Sequence, residues 1–165
     1  MREATVTRNT KETQITVHVC FDEKGISNID TGIGFFDHML TALSRHSGIS
    51  MDVQVHGDLH VDGHHTVEDT GIVIGQAFME ALGDKAGIAR YGSAYIPMDE
   101  ALSFCSLDLS NRPFLVFRGE FANQMIGSYD ACLTEEFFRA LAVNAGITLH
   151  LDMCYGKNDH HKCEA

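Results

Sequence analysis

The chain has 165 residues, 44% of them hydrophobic, and a formal net charge of −11. That length suits one compact domain or two tightly fused small halves, and that charge excludes nucleic acid and anionic membranes as partners. No apolar run approaches the ~20 residues that span a bilayer, and residues 1–10 lack the apolar core of a secretory signal, so a cytoplasmic protein is expected.

Residues 14–20 alternate, with Ile15, Val17 and Val19 on one face, and read as a strand. Asp30-Thr31-Gly32 breaks the pattern. Phe36, Met39, Leu40 and Leu43 fall at helical spacing over residues 35–45, and Gly48 ends that helix. Met51, Val53 and Val55 alternate as a strand. Residues 64–82 spell a long amphipathic helix with Val67, Ile72, Ile74, Phe78 and Leu82 apolar. The second half repeats the plan. Residues 101–109 and 113–117 read as strands, and 134–144 as a helix ending near Gly146. Ile147, Leu149 and Leu151 alternate again before His160-His161.

A shift of 98 pairs Ala42 with Ala140, Leu43 with Leu141, Gly48 with Gly146 and Ile49 with Ile147. A shift of 96 pairs His64, His65 and Glu68 with His160, His161 and Glu164. The two-residue slip falls in a connection, where insertions are tolerated. Helix, Gly, strand and H-H-x-x-E recur in the same order, so the chain reads as an internal duplication. The expected fold is α+β: two β-β-β-α-β-α halves, residues 1–88 and 89–165, forming one compact domain with helices covering one side of each sheet.

Five cysteines are scattered without C-x-x-C spacing and read as free thiols of a reducing compartment. Ten histidines are the compositional anomaly, four of them in two adjacent pairs. On a helix, His64 and Glu68 lie one above the other, while His65 is turned by ~100° about the axis. Each motif can thus offer a His and a Glu to one ion and its second His to another. Two such helices related by a pseudo-twofold axis would bind two ions reciprocally. His65 joins His160 and Glu164 at the first, and His161 joins His64 and Glu68 at the second. By the shift of 98, His38 corresponds to Glu136, so His38 completes the first set and Glu136 the second. Neither set contains sulfur, which argues against structural zinc and suits a six-coordinate ion such as Mn²⁺. The remaining histidines carry no such pattern.

Residues 32–40 (GIGFFDHML), 64–70 (HHTVEDT), 97–102 (PMDEAL) and 156–165 (GKNDHHKCEA) closely resemble the imidazoleglycerol-phosphate dehydratase family, in order along the entire chain. The resemblance implies a duplicated α+β unit like the second domain of ribosomal protein S5. It also implies homo-oligomeric shells of twenty-four subunits with two manganese ions per site at subunit contacts. The implied reaction removes water from a small phosphorylated imidazole, D-erythro-imidazole glycerol phosphate, to give imidazole acetol phosphate in histidine biosynthesis. The ions would serve as Lewis acids and as a template. On its own, Glu12 reads as a solvated acid at a strand start; the resemblance makes it the catalytic base. Arg90 and Arg112 match the family's phosphate-binding arginines, which act as forks. His38 and His46, with Arg45 beside it, are placed near substrate.

Three departures from the family pattern stand out. Glu136 occupies a position where many relatives have His; a carboxylate also ligates Mn²⁺. Asn111 replaces a usual Gly in the turn before Arg112, and Asn tolerates left-handed backbone. Relatives continue past the equivalent of Ala165 through a helix with a lysine and a Ser-x-Lys-Gly-like segment that hold phosphate. On that account the chain is expected to fold, with feeble activity, low metal occupancy and the terminal H-H-x-x-E ordered mainly by the ions themselves. The alternatives are a dinuclear metallohydrolase, disfavoured because no free acid–base group beyond Glu12 stands out, and a non-catalytic metal-binding shell.

Overall fold

A computed structural model describes residues 1–24 and 26–165. The first half runs β1 (Glu3–Asn9), β2 (Thr13–Cys20), β3 (Ser27–Asp30), α1 (Gly34–Ser47), β4 (Ser50–Gly57) and α2 (His64–Leu82). The second runs β5 (Tyr91–Met98), β6 (Ala101–Asp108), β7 (Phe114–Arg118), a small hairpin of β8 (Met125–Ile126) and β9 (Tyr129–Asp130), α3 (Leu133–Ala145), β10 (Thr148–Tyr155) and α4 (Asp159–Glu164).

The sheets have strand orders β1-β2-β4-β3 and β5-β6-β10-β7. Replacing each first-half strand by its counterpart converts one order into the other. The single parallel pairing falls at the same place in both, β3 with β4 and β7 with β10. Both α1 and α3 end on a left-handed glycine, Gly48 at φ 74 and Gly146 at φ 64, the pair that the repeat aligns. Topology and caps therefore bear out the α+β duplication.

Ile15, Val17 and Val19 on β2 and Met51, Val53 and Val55 on β4 are buried against the helices. Against them lies α2, with Val67, Val73, Ile74 and Ala77 fully buried. Helix α3 packs on the other side of α2 at very short range. A Cβ on Gly71 would stand 2.6 Å from the Phe137 carbonyl oxygen, and one on Gly75 would stand 2.8 Å from that of Leu141. Only hydrogen at both positions allows this approach.

Five strands escape the periodicity reading, β8 and β9 because two residues are too few to alternate. β1 is an edge strand whose inward residues are only half-buried. β3 has four residues. β5, also at an edge, is exposed along nearly its whole length, so no face is selected for apolar residues. Asn111 does take the left-handed backbone its position demands, at φ 60. Among the described residues, no helix is long and apolar enough to cross a membrane, and all five cysteines are free.

Candidate metal centre

Both H-H-x-x-E motifs begin a helix, as their spacing requires, but the two starts are built differently. At α2, Asp62 accepts the His64 N–H at 2.8 Å. One turn on, Asp69 lies 2.5 Å from Arg8 Nη1 and accepts from the Thr13 hydroxyl at 2.5 Å, fixing the helix to the first sheet. At α4, Asn158 is the N-cap and its side-chain oxygen accepts from the N–H groups of His160 and His161. Asp159 is buried and pairs with the buried Lys162 at 2.6 Å. It also accepts from the backbone of Ala122 and Asn123 and from the Asn123 side chain. Burial alone would raise the Asp159 carboxyl; the ammonium and these donors outweigh it and hold the group well below its usual range. Lys162 further donates to the Glu120 carbonyl at 2.7 Å. Side chains of the chain itself thus anchor α4, in addition to the ions expected to be its main hold.

Three of the four residues expected to hold the first ion come together. His160 Nε2 is 3.0 Å from Glu164 Oε2, and His38 Nε2, from α1, is 3.4 Å from the same oxygen. The ligand atoms of His38, His160 and Glu164 all lie within 4.8 Å of one another. Two imidazole nitrogens and a carboxylate, with no sulfur, fit a divalent ion that keeps open positions for other ligands. Phe35 packs edge-on against the His160 ring at 5.1 Å and limits its rotation. A groove of ≈ 550 Å³ opens beside His160, lined by Glu100, Asn123, Met125, Lys157 and Asn158.

For the second set, His64 Nε2 lies 3.2 Å from Glu68 Oε2. Glu136 sits on α3 with its carboxylate 3.9 Å from Arg139 Nε. Among the described residues, no second group of three ligands gathers within one chain.

The two remaining histidines are turned away from the Glu of their own helix, as the ~100° offset predicts. His65 Nδ1 lies 2.8 Å from Asp58 Oδ2, and His161 Nδ1 lies 2.8 Å from Glu100 Oε2. These hydrogen bonds are the main reason that both imidazole pKa values are raised. The His65 bond likewise lowers Asp58. Glu100 falls to about 2, chiefly because it accepts the Asn158 backbone N–H and then because of His161.

The remaining predicted residues occupy three other places. Glu12 is exposed in the β1–β2 turn, and its charge adds to the rise at His65. Arg90 and Arg112 converge on Asp108: Arg90 grips it through Nε at 2.7 Å and Nη2 at 3.1 Å, and Arg112 Nη2 is 3.3 Å away. The Arg90 bond is what chiefly lowers the Asp108 carboxyl. Asp108 ends β6 and Ala101 begins it. At ~3.3 Å per residue the arginines therefore lie roughly 20 Å from the Glu100 end of the strand. Arg45 and His46 are exposed in the last turn of α1.

Asp58, Glu100, Asp108, Asp159 and Lys162 escaped the sequence reading. Local signals existed for Asn158, an N-cap residue directly before a helical motif, for Asp159 and Lys162 at i,i+3 and for Asp108 and Arg112 at i,i+4; Glu100 acts across the sequence.

The family model described as imidazoleglycerol-phosphate dehydratase matches residues 31–165. The imidazoleglycerol-phosphate dehydratase of Ruminiclostridium cellulolyticum is 58% identical over 165 residues, covering 100% of this chain and 85% of the relative. That of Streptococcus sanguinis is 55% identical with the same coverage. Among solved structures, the Staphylococcus aureus enzyme superposes with a TM-score of 0.89 at 42% identity, covering 99% of this chain and 90% of that one. The Pyrococcus furiosus enzyme, solved with (S)-C348, gives 0.83 at 35% identity, covering 97% and 85%.

Proposed function

The chain belongs to the imidazoleglycerol-phosphate dehydratase family, lyases of histidine biosynthesis, and from that premise we propose that it dehydrates D-erythro-imidazole glycerol phosphate to imidazole acetol phosphate with two Mn²⁺ ions per site. The single observation that carries the metal reading is the convergence of His38, His160 and Glu164 from two helices in different halves. When bound, the ions supply Lewis acidity that favours the anionic form of the substrate ring. Substrate and product together fix the rest of the balance. The hydroxyl leaves from the carbon attached to the ring, and the proton leaves from the next carbon, where the ketone forms after enol tautomerisation. Glu12 is the proposed base for that proton: it is exposed, carries no metal and lies near His65. Arg90 and Arg112 are the proposed phosphate fork, with Asp108 holding both guanidinium groups in register until phosphate arrives. His46, with Arg45 beside it, is the proposed further substrate contact on α1.

One chain does not bring these parts together. His65 and His161 are held away from the ligand set each should complete, and the arginines lie a strand's length from α4. We therefore propose a homo-oligomer, with the family's twenty-four-subunit shell as its form, in which a second copy supplies His65 to the ion at His38, His160 and Glu164. There His161 and Glu136 serve the ion at His64 and Glu68. A cytoplasmic setting is consistent with such an assembly.

The test is turnover of imidazole glycerol phosphate by the Mn²⁺-loaded protein. Glu12→Gln should lower kcat by about 10²–10⁴-fold at unchanged metal content, the usual worth of a positioned base. Glu136→Ala should lower the bound-metal stoichiometry. Wild-type protein that binds no Mn²⁺ or turns over no substrate would overturn the proposal.

A further inference from the structure

Asp58 and Glu100 hold equivalent places in the two halves of the site, although the sequence repeat does not relate them. Each accepts from Nδ1 of the second histidine of an H-H pair, at the same distance of 2.8 Å. The first histidines behave oppositely, since His64 and His160 meet their carboxylates through Nε2. An ionised carboxylate can only accept, so Nδ1 of His65 and of His161 carries the proton. In the neutral ring the lone pair is then on Nε2, the atom a metal needs. Asp99 stands 3.8 Å from His161 Nε2, too far for a hydrogen bond.

We propose that Asp58 and Glu100 are positioning residues that select the Nδ1–H tautomer of His65 and His161 and aim each Nε2 at an ion other than the one held by its own helix. This inference deepens the metal reading above and rests on it. The physical reason is general: a carboxylate behind a ligating imidazole fixes the ring, fixes the tautomer and raises the basicity of the ligating nitrogen. Helical spacing already sets His64 and His160 over the Glu of their own helix. The acid behind the second histidine then holds that ring in the orientation from which it can cross to another ion.

The two clamps differ in redundancy. Glu100 also accepts from the backbone N–H groups of Lys157 and Asn158, so removing it disturbs the turn before α4 as well. Asp58 has His65 as its side-chain partner, and its second oxygen, Oδ1, is buried without one. Asp58 is therefore the cleaner position to test.

The experiment titrates full-length wild type, Asp58→Ala, Asp58→Asn and Glu100→Gln with Mn²⁺, reading free ion by electron paramagnetic resonance. The ring nitrogens of His65 are followed by ¹⁵N NMR in metal-free protein. Asp58→Ala should weaken Mn²⁺ binding by about 10–100-fold, the usual cost of losing such a partner, and should shift His65 towards the Nε2–H tautomer. Asp58→Asn and Glu100→Gln keep an oxygen acceptor and should restore most of the affinity and the Nδ1–H form. Wild-type affinity and an unchanged tautomer in Asp58→Ala would overturn the proposal. If Asp58→Ala does not fold, a folded Asp58→Asn with His65 in the Nε2–H form would overturn it equally. Wild-type protein that binds no Mn²⁺ fails the metal reading instead, and the tautomer in metal-free protein still decides the clamp.

Discussion

The same five-residue motif is supported in two unlike ways in the two halves. On α2, His64 and Glu68 begin a 19-residue helix in which Thr66, Val67 and Thr70 are buried, so the ligands ride on apolar packing and the Asp69 anchor. On α4, His160 and Glu164 occupy a 6-residue helix in which Asp159 and Lys162 are the buried residues. A helix that short has a costly nucleus and little packing face, and polar anchoring takes over: an N-cap, a buried ion pair and the Glu100 contact. A duplicated ligand set therefore does not require a duplicated scaffold. It requires only that each copy be held within metal-binding distance. The comparison predicts that apolar damage should act on the whole fold through α2, while polar damage should act on α4 alone.

The largest effect is expected at Asp159. Asp159→Ala strands the Lys162 ammonium in a buried position, and breaking such a pair typically costs about 3–5 kcal/mol. Because α4 is a 6-residue helix held by polar contacts, the cost should appear as local unfolding. Hydrogen exchange at α4 amides should accelerate and Mn²⁺ stoichiometry should fall, with α2 protection unchanged. Loss of protection across both halves would show that α4 is part of the global core and break the comparison. The double variant Asp159→Ala/Lys162→Met should recover part of the loss, since it removes the orphaned charge.

Next comes the apolar side. Gly75→Ala puts a Cβ 2.8 Å from the Leu141 carbonyl oxygen. Overpacking of this kind costs about 1–3 kcal/mol, set against about 1 kcal/mol of gained helix propensity. The net effect should be a lower midpoint of global thermal unfolding in metal-free protein. A variant that melts like wild type would mean that α2 and α3 separate freely.

A smaller loss is expected on removing the cap. Asn158→Ala deletes the acceptor for two N–H groups and should cost about 1 kcal/mol. Binding of the ion at His160 and Glu164 should weaken several-fold, while that at His64 and Glu68, which takes only His161 from α4, should weaken less. Two ions resolved by their dissociation rates would show the asymmetry; equal weakening would indicate that the sites fill as one unit.

How far the site was legible follows from the range of each interaction. His64, His65 and Glu68 are related by helical spacing, so sequence alone states their directions, and α2 has those directions. The equivalence of His38 and Glu136 came from the repeat, and the structure does bring His38 to Glu164. Asp58, Glu100 and Asp159 were not legible, because an exposed acid and a clamp look identical until folding sets the partner 7, 61 or 36 residues away. Among strands, β2 and β4 were readable because one face is buried. β5 was not, because the alternation that reveals a strand exists only where a core selects for it.

The last and smallest effect separates the two clamps by pH in metal-free protein. The folded-state pKa of Glu100 is about 2 against an ordinary 4.5, so its contribution is present above about 4.5 and is lost as pH falls towards 2. The His161 value is raised above 6.5, so its contribution is full below that and fades as pH rises through the raised value. The same holds for His65 and Asp58, with Asp58 lowered and His65 raised. Both ion pairs are therefore strongest in mildly acidic solution. Above neutrality they diverge. Asp58 owes its shift chiefly to His65, so it loses its charged partner once that ring is neutral and keeps only the Nδ1–H bond. Glu100 owes its shift first to the Asn158 N–H, which does not titrate, so the turn before α4 should stay fixed. The Glu100 carboxylate is solvent-accessible enough that its effect should be modest. Amide exchange at Lys157 and Asn158 should be flat from pH 6 to 9 once corrected for intrinsic rates, whereas exchange around Asp58 should quicken. Quickening at both places would mean that His161, not the backbone of Asn158, is what holds Glu100.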